Sequence, residues 1–77
     1  MSKLPVVPFR TMEKLLLKLG FSESRQRGSH HFYRHPDGRT TTLPQHGNVD
    51  LSRPLIREIL RQIEISPDNY IRLLDEL

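Results

Sequence analysis

The sequence predicts an α+β domain in the order α-β-β-β-α-α, with a three-stranded sheet and helices on one of its faces. Three observations carry this. Helical apolar periodicity appears at both ends of the chain, and a hairpin signature rich in aromatics and threonine lies between them. At 77 residues the chain has room for one thin core. A single domain over 1–77 is expected, with its core in 9–65 and a short helical extension in 66–77.

Each element has its own signal. Lys3 to Pro8 is an extended lead-in punctuated by proline. Met12, Leu15, Leu16 and Leu19 recur at i, i+3, i+4 and i+7, which predicts an amphipathic helix that begins between Phe9 and Thr11 and stops at Gly20. Phe21 to Arg27 lacks helical spacing and reads as a short polar strand. Two further strands, His30–His35 and Arg39–Pro44, flank Pro36-Asp37-Gly38. Proline suits the first corner of a type I turn, and glycine suits the left-handed residue that closes a three-residue loop.

That turn sets a register. His35 faces Arg39, Tyr33 faces Thr41 and His31 faces Leu43, so His31, Tyr33, Thr41 and Leu43 form the core side. His30, Phe32, Arg34, Thr40 and Thr42 are left on the open side, with Pro44 opposite His30. After a polar loop, Ser52 with Pro54 opens a second helix along Leu55, Ile56, Ile59, Leu60 and Ile63. Ser66-Pro67 opens a third, carrying Tyr70, Ile71, Leu74 and Leu77.

Charge is unevenly spread. The net charge is +3, with eight Lys/Arg against three acids in residues 1–48 and four Arg against six acids in residues 49–77. The basic part also holds all four histidines, a distribution that suits either a bound polyanion or a solvated surface. The chain has no cysteine, so disulfides and thiolate metal ligands are excluded. The apolar patch from Leu4 to Val7, broken by Pro5, is too short for a membrane span or a signal-peptide core. A cytoplasmic protein with no membrane partner is expected.

Four groupings bear on chemistry. The strand pairing brings His46 close to His30. Two imidazoles beside arginines can take the 2′-hydroxyl proton of an RNA phosphodiester and protonate the leaving oxygen, with no metal or other cofactor. The same pair also fits ordinary surface histidines. A zinc site from His30, His31 and His35 is disfavoured: neighbours on a strand point to opposite faces, and His31 and His35 lie about 13 Å apart. On the first helix Lys14 and Lys18, extended by Arg10, form a row for phosphates or simply a solvated face. Arg25 and Arg27, in the strand leading to Gly28, are better placed to line a groove beside His30. Asp68, Asp75 and Glu76 read as a solvated terminus.

These residues resemble a known family. Gly20-Phe21, the run Arg25-Gln26-Arg27-Gly28-Ser29-His30-His31-Phe32-Tyr33-Arg34-His35-Pro36-Asp37-Gly38-Arg39, and Leu43-Pro44-Gln45-His46 are similar to the HicA toxins, also called the YcfA-like family. The resemblance covers about residues 9–65. It implies a fold like a double-stranded-RNA-binding domain and the activity of an mRNA interferase neutralised by a HicB-type antitoxin. It places the catalytic histidine at His30, with Gly28, Ser29 and His46 as supporting motif residues. Arg25, Arg27, Arg34, Lys14 and Lys18 are then the candidate RNA contacts. The chain departs from the pattern where Pro54-Leu55 replaces a Gly-Thr pair and Glu64 stands where glycine is common. A non-catalytic RNA-binding module of the same fold and a pure protein-interaction module are the competing expectations.

Overall fold

In the computed structural model, which describes residues 3–77, the elements follow the predicted order. They are α1 (Phe9–Lys18), β1 (Ser22–Arg27), β2 (His30–Arg34), β3 (Thr40–Pro44), α2 (Arg53–Ile63) and α3 (Pro67–Asp75). The strands form one antiparallel sheet in the order β1-β2-β3. This is the α-β-β-β-α arrangement of a double-stranded-RNA-binding-like domain with one further helix. Among the described residues no helix is long and apolar enough to cross a membrane.

The hairpin register is the one the turn chemistry predicts. His31 pairs with Leu43, Tyr33 with Thr41 and His30 with Pro44. Gly38 adopts φ +100° and donates its N–H to the His35 carbonyl at 2.9 Å, while the His35 N–H donates to Arg39 O at 2.9 Å. Asp37 accepts from the Arg39 backbone N–H and from its guanidinium, which holds its carboxyl below the ordinary carboxylate range. Arg39 also donates to the Ile63 carbonyl, tying the turn to the end of α2.

The core lies on one side of the sheet. His31, Tyr33, Thr41 and Leu43 are buried, and they meet Met12, Leu15 and Leu16 of α1 and Ile56, Ile59, Leu60 and Ile63 of α2. Burying one such aliphatic side chain contributes about 1.5–3 kcal/mol, so Leu16→Ala at this fully enclosed position would cost about 2–5 kcal/mol. Tyr70 brings α3 into the same core and donates its hydroxyl to the Pro5 carbonyl at 2.8 Å. Arg53 holds the Leu4 carbonyl, and Leu51 N–H donates to Val7 O, so the lead-in is fastened along its length.

Helix ends follow local chemistry. Ser52 and Ser66 accept from the backbone N–H of Leu55 and Asn69 respectively, each with a proline in the first turn. At the end of α1, Phe21 N–H reaches Leu16 O and Gly20 N–H reaches Leu17 O, with Gly20 at φ +98°. This is the double-bond closure that needs a left-handed residue, with apolar Phe21 packed beyond it.

Candidate active site on the open sheet face

The free face of the sheet is set by strand parity and by one irregularity. Along β2 the exposed side chains are His30 and Arg34, with Phe32 half-buried between them. Along β1, Glu23 pairs with Tyr33 but Arg25 pairs with Phe32, so Ser24 is an extra, bulged residue. The bulge inverts the alternation of every residue after it. Regular alternation from buried Phe21 would put Arg25 and Arg27 on the core side. The bulge puts them opposite Phe32 and His30, on the open face.

Three cross-strand rows result. Arg27, His30 and Pro44 form the first; Arg25, Phe32 and Thr42 the second; Ser22, Arg34 and Thr40 the third. Directly paired residues have Cβ atoms about 4.5–5.5 Å apart, which puts the Arg27 and His30 side chains within reach of one phosphate. The Arg25 guanidinium sits 4.5 Å from the Phe32 ring centroid. The three rows carry three arginines and one histidine and no carboxylate.

Gly28 and Ser29 are the two-residue connection between β1 and β2. Gly28 takes φ +59°, the glycine-first conformation that a tight hairpin turn asks for. A Cβ built at Gly28 would meet nothing within 4 Å, so the space beside His30 is open. The Ser29 carbonyl accepts from Gln45 N–H at 2.7 Å, which carries the ladder one step past the His30–Pro44 pair. His46 follows at once, exposed at the start of the 45–50 loop and two residues beyond the partner of His30.

The other candidates separate. Lys14 and Lys18 lie on the solvent side of α1, whose opposite side packs on the core face of the sheet, so the sheet stands between them and His30. Lys18 is also engaged with Glu76, donating to its carbonyl at 2.9 Å. The structure therefore places Arg27, Gly28 and Ser29 beside His30, sets Arg25 and Arg34 further along the same face, and leaves the two lysines on another surface.

The three hairpin histidines occupy three environments. His30 is exposed on the open face. His35 lies against α1, its Nε2 3.2 Å from the Leu19 carbonyl and its ring edge-on to Phe21. His31 is buried, with Nδ1 2.8 Å from Glu23 Oε2 and Nε2 2.8 Å from Gln45 Oε1. They do not converge on one point, as strand geometry requires.

Sequence reasoning missed the network around His31. Tyr33 donates to Glu13 at 2.5 Å, and burial together with that carboxylate pushes its hydroxyl pKa well up. Glu13, Glu23 and His31 hold one ligand atom each within 4.8 Å of one another, the described residues best able to converge on a cation. Those atoms already have protein partners in Tyr33, Glu23 and Gln45, which makes the group a cross-brace between α1, β1 and β2. Its one sequence signal is that Glu23 lies two residues after buried Phe21, on the core-side parity of β1. Phe32 lies on the open face, as the hairpin register predicts, and no spacing in the sequence marks it as functional.

Comparison with family models matches residues 9–65 to the HicA toxin of bacterial toxin-antitoxin. A comparison with curated proteins returned no match. The match spans α1 through the end of α2 and includes the whole sheet, the Gly28-Ser29 turn and His30. This chain belongs to the HicA toxin family of bacterial toxin–antitoxin systems.

Proposed function

We propose that this toxin is a metal-independent endoribonuclease that cleaves mRNA on the open face of its sheet. The observation that carries the reading is the direct pairing of Arg27 with His30, on a face with two more arginines and no acid. His30 takes the proton from the ribose 2′-hydroxyl. The oxygen then attacks the adjacent phosphorus, and the bond to the 5′ oxygen breaks as that oxygen is protonated, leaving a cyclic phosphate and a free 5′-hydroxyl. His46, exposed two residues beyond the β3 partner of His30, enters protonated and gives its own proton to that leaving oxygen, while His30 keeps the one it took. Arg27 offsets the charge that builds on the phosphoryl oxygens, and Arg25 and Arg34 hold neighbouring phosphates. Gly28 and Ser29 keep the approach to His30 clear. A HicB-type antitoxin silences the toxin by covering this face in the cytoplasm.

The test is purified protein on an mRNA in the presence of chelator, with and without His30→Ala. Cleavage that persists in chelator and disappears in the variant supports the reading. A variant that cuts RNA and arrests growth like the parent removes His30 from the mechanism. Salt-sensitive binding with RNA intact after long incubation would establish the binding-module alternative.

A further inference from the structure

We propose that Phe32, with Arg25 above it, is the stacking platform for one unpaired base of the RNA, one position along from the bond at His30. The inference rests on the RNA-cleavage reading and names the part of the substrate that the site grips.

Phe32 takes no part in the hydrophobic core. The core is on the other face, and the neighbours of Phe32 across the sheet are Arg25 and Thr42. Its ring is half-exposed, between Arg25 on one side and Thr42 on the other. Its one specific companion is the Arg25 guanidinium, 4.5 Å from the ring centroid. That pair presents two flat π surfaces, and an exposed Arg25 is free to lift and enclose a base between them.

The position fits a substrate cut at His30. Phe32 is two residues along the same strand face, about 7 Å away. A shallow hollow beside it is lined by Ser24, Arg25, Arg34, Thr40 and Thr42, which offer hydroxyls to a base edge and cations to a phosphate. The occupant is single-stranded RNA rather than duplex, because paired bases keep their faces stacked inside the helix and only a splayed base can lie on a sheet. A polyanion suits the face, because its three rows carry three arginines and a histidine and no carboxylate.

Binding, separated from cleavage, tests this. In a His30→Ala background that leaves RNA uncut, affinity is measured at fixed salt for a short labelled single-stranded oligoribonucleotide. Phe32→Ala and Phe32→Leu should each weaken binding about tenfold, whereas Phe32→Tyr should bind like the parent. The chain has no tryptophan, so Phe32→Trp supplies a sole indole whose fluorescence should be quenched as RNA saturates it. Circular dichroism confirms that each variant is folded. If the parent binds RNA and Phe32→Ala binds equally well, the platform is wrong and the RNA reading stands. If Phe32→Leu restores what Phe32→Ala loses, the ring acts by packing and the platform is again wrong. If the parent binds no RNA, both readings fall.

Discussion

Arg27 and His30 face each other across the first rung of the β1–β2 ladder, immediately before and after the Gly28-Ser29 turn. A two-residue turn is the shortest way to bring two strand residues opposite, so their separation is fixed by backbone hydrogen bonds rather than by flexible loops. The imidazole and the guanidinium are therefore presented side by side from a rigid base.

That rigidity predicts the behaviour of Arg27 variants. Arg27→Ala should lower kcat/KM for RNA cleavage about tenfold to a hundredfold, since a developing phosphoryl charge loses one preorganised partner. Arg27→Lys should recover part of the loss, keeping charge but not the two-pronged donor geometry. Equal activity of all three proteins would remove Arg27 from the site. Because both side chains are exposed, none of these changes should alter thermal stability.

The adjacent histidine should behave in the opposite way. His31 is buried between Glu23 and Gln45, and removing it leaves both partners without their bond. His31→Ala should cost about 1–3 kcal/mol in urea unfolding, while His30→Ala leaves unfolding unchanged and removes cleavage. A His31 variant that unfolds at the parent's urea midpoint would show that the cross-brace contributes nothing.

How much of this was legible in the sequence follows from which residues obey simple period rules. The Pro36-Asp37-Gly38 turn fixed the β2–β3 register, and with it the burial of His31 and the exposure of His30. Helix caps at Ser52 and Ser66 were readable for the same local reason. The facing of Arg25 and Arg27 was not, because the Ser24 bulge breaks the alternation, and polar Ser22–Arg27 has no apolar residue to report its parity. The separation of Lys14 and Lys18 from His30 was not legible either, because residues on one helix say nothing about which side of the sheet they share with His30. The links from Tyr33 to Glu13 and from His31 to Gln45 span 20 and 14 residues, and only the folded topology brings them together.

Glu64 offers a stability prediction. Both α1 and α2 close with the same pair of backbone bonds, from Phe21 to Leu16 and Gly20 to Leu17 in one, and from Ile65 to Leu60 and Glu64 to Arg61 in the other. The closing position is glycine in the first and Glu64, at φ +59°, in the second. A side chain there is strained by about 1–2 kcal/mol, partly offset by glycine's greater freedom when unfolded. Glu64→Gly should therefore raise the urea unfolding free energy by about 0.5–1 kcal/mol with cleavage unchanged. A lower midpoint would show that the Glu64 side chain makes a compensating interaction.

The two tyrosines predict an alkaline limit. Burial, followed by the charge of Asp50, pushes the Tyr70 hydroxyl up to about 12. Burial, the bond to Glu13 and the charges of Glu13 and Glu23 push Tyr33 up as well. In the unfolded chain both ionise near 10. Above that pH the unfolded state has released protons that the folded state still holds, so stability must fall as pH rises. The contribution from Tyr70 is complete below about pH 10 and is lost as pH rises towards about 12, on the order of 2 kcal/mol over the window. Tyrosinate absorbance should therefore stay flat through pH 10 and rise together with the loss of helical circular dichroism. Tyr70→Phe should cost about 1 kcal/mol at neutral pH, since the Pro5 carbonyl loses its donor, and should make unfolding less steeply dependent on alkali. Tyrosinate that forms near pH 10 while the protein remains folded would show that these hydroxyls are not held by the core.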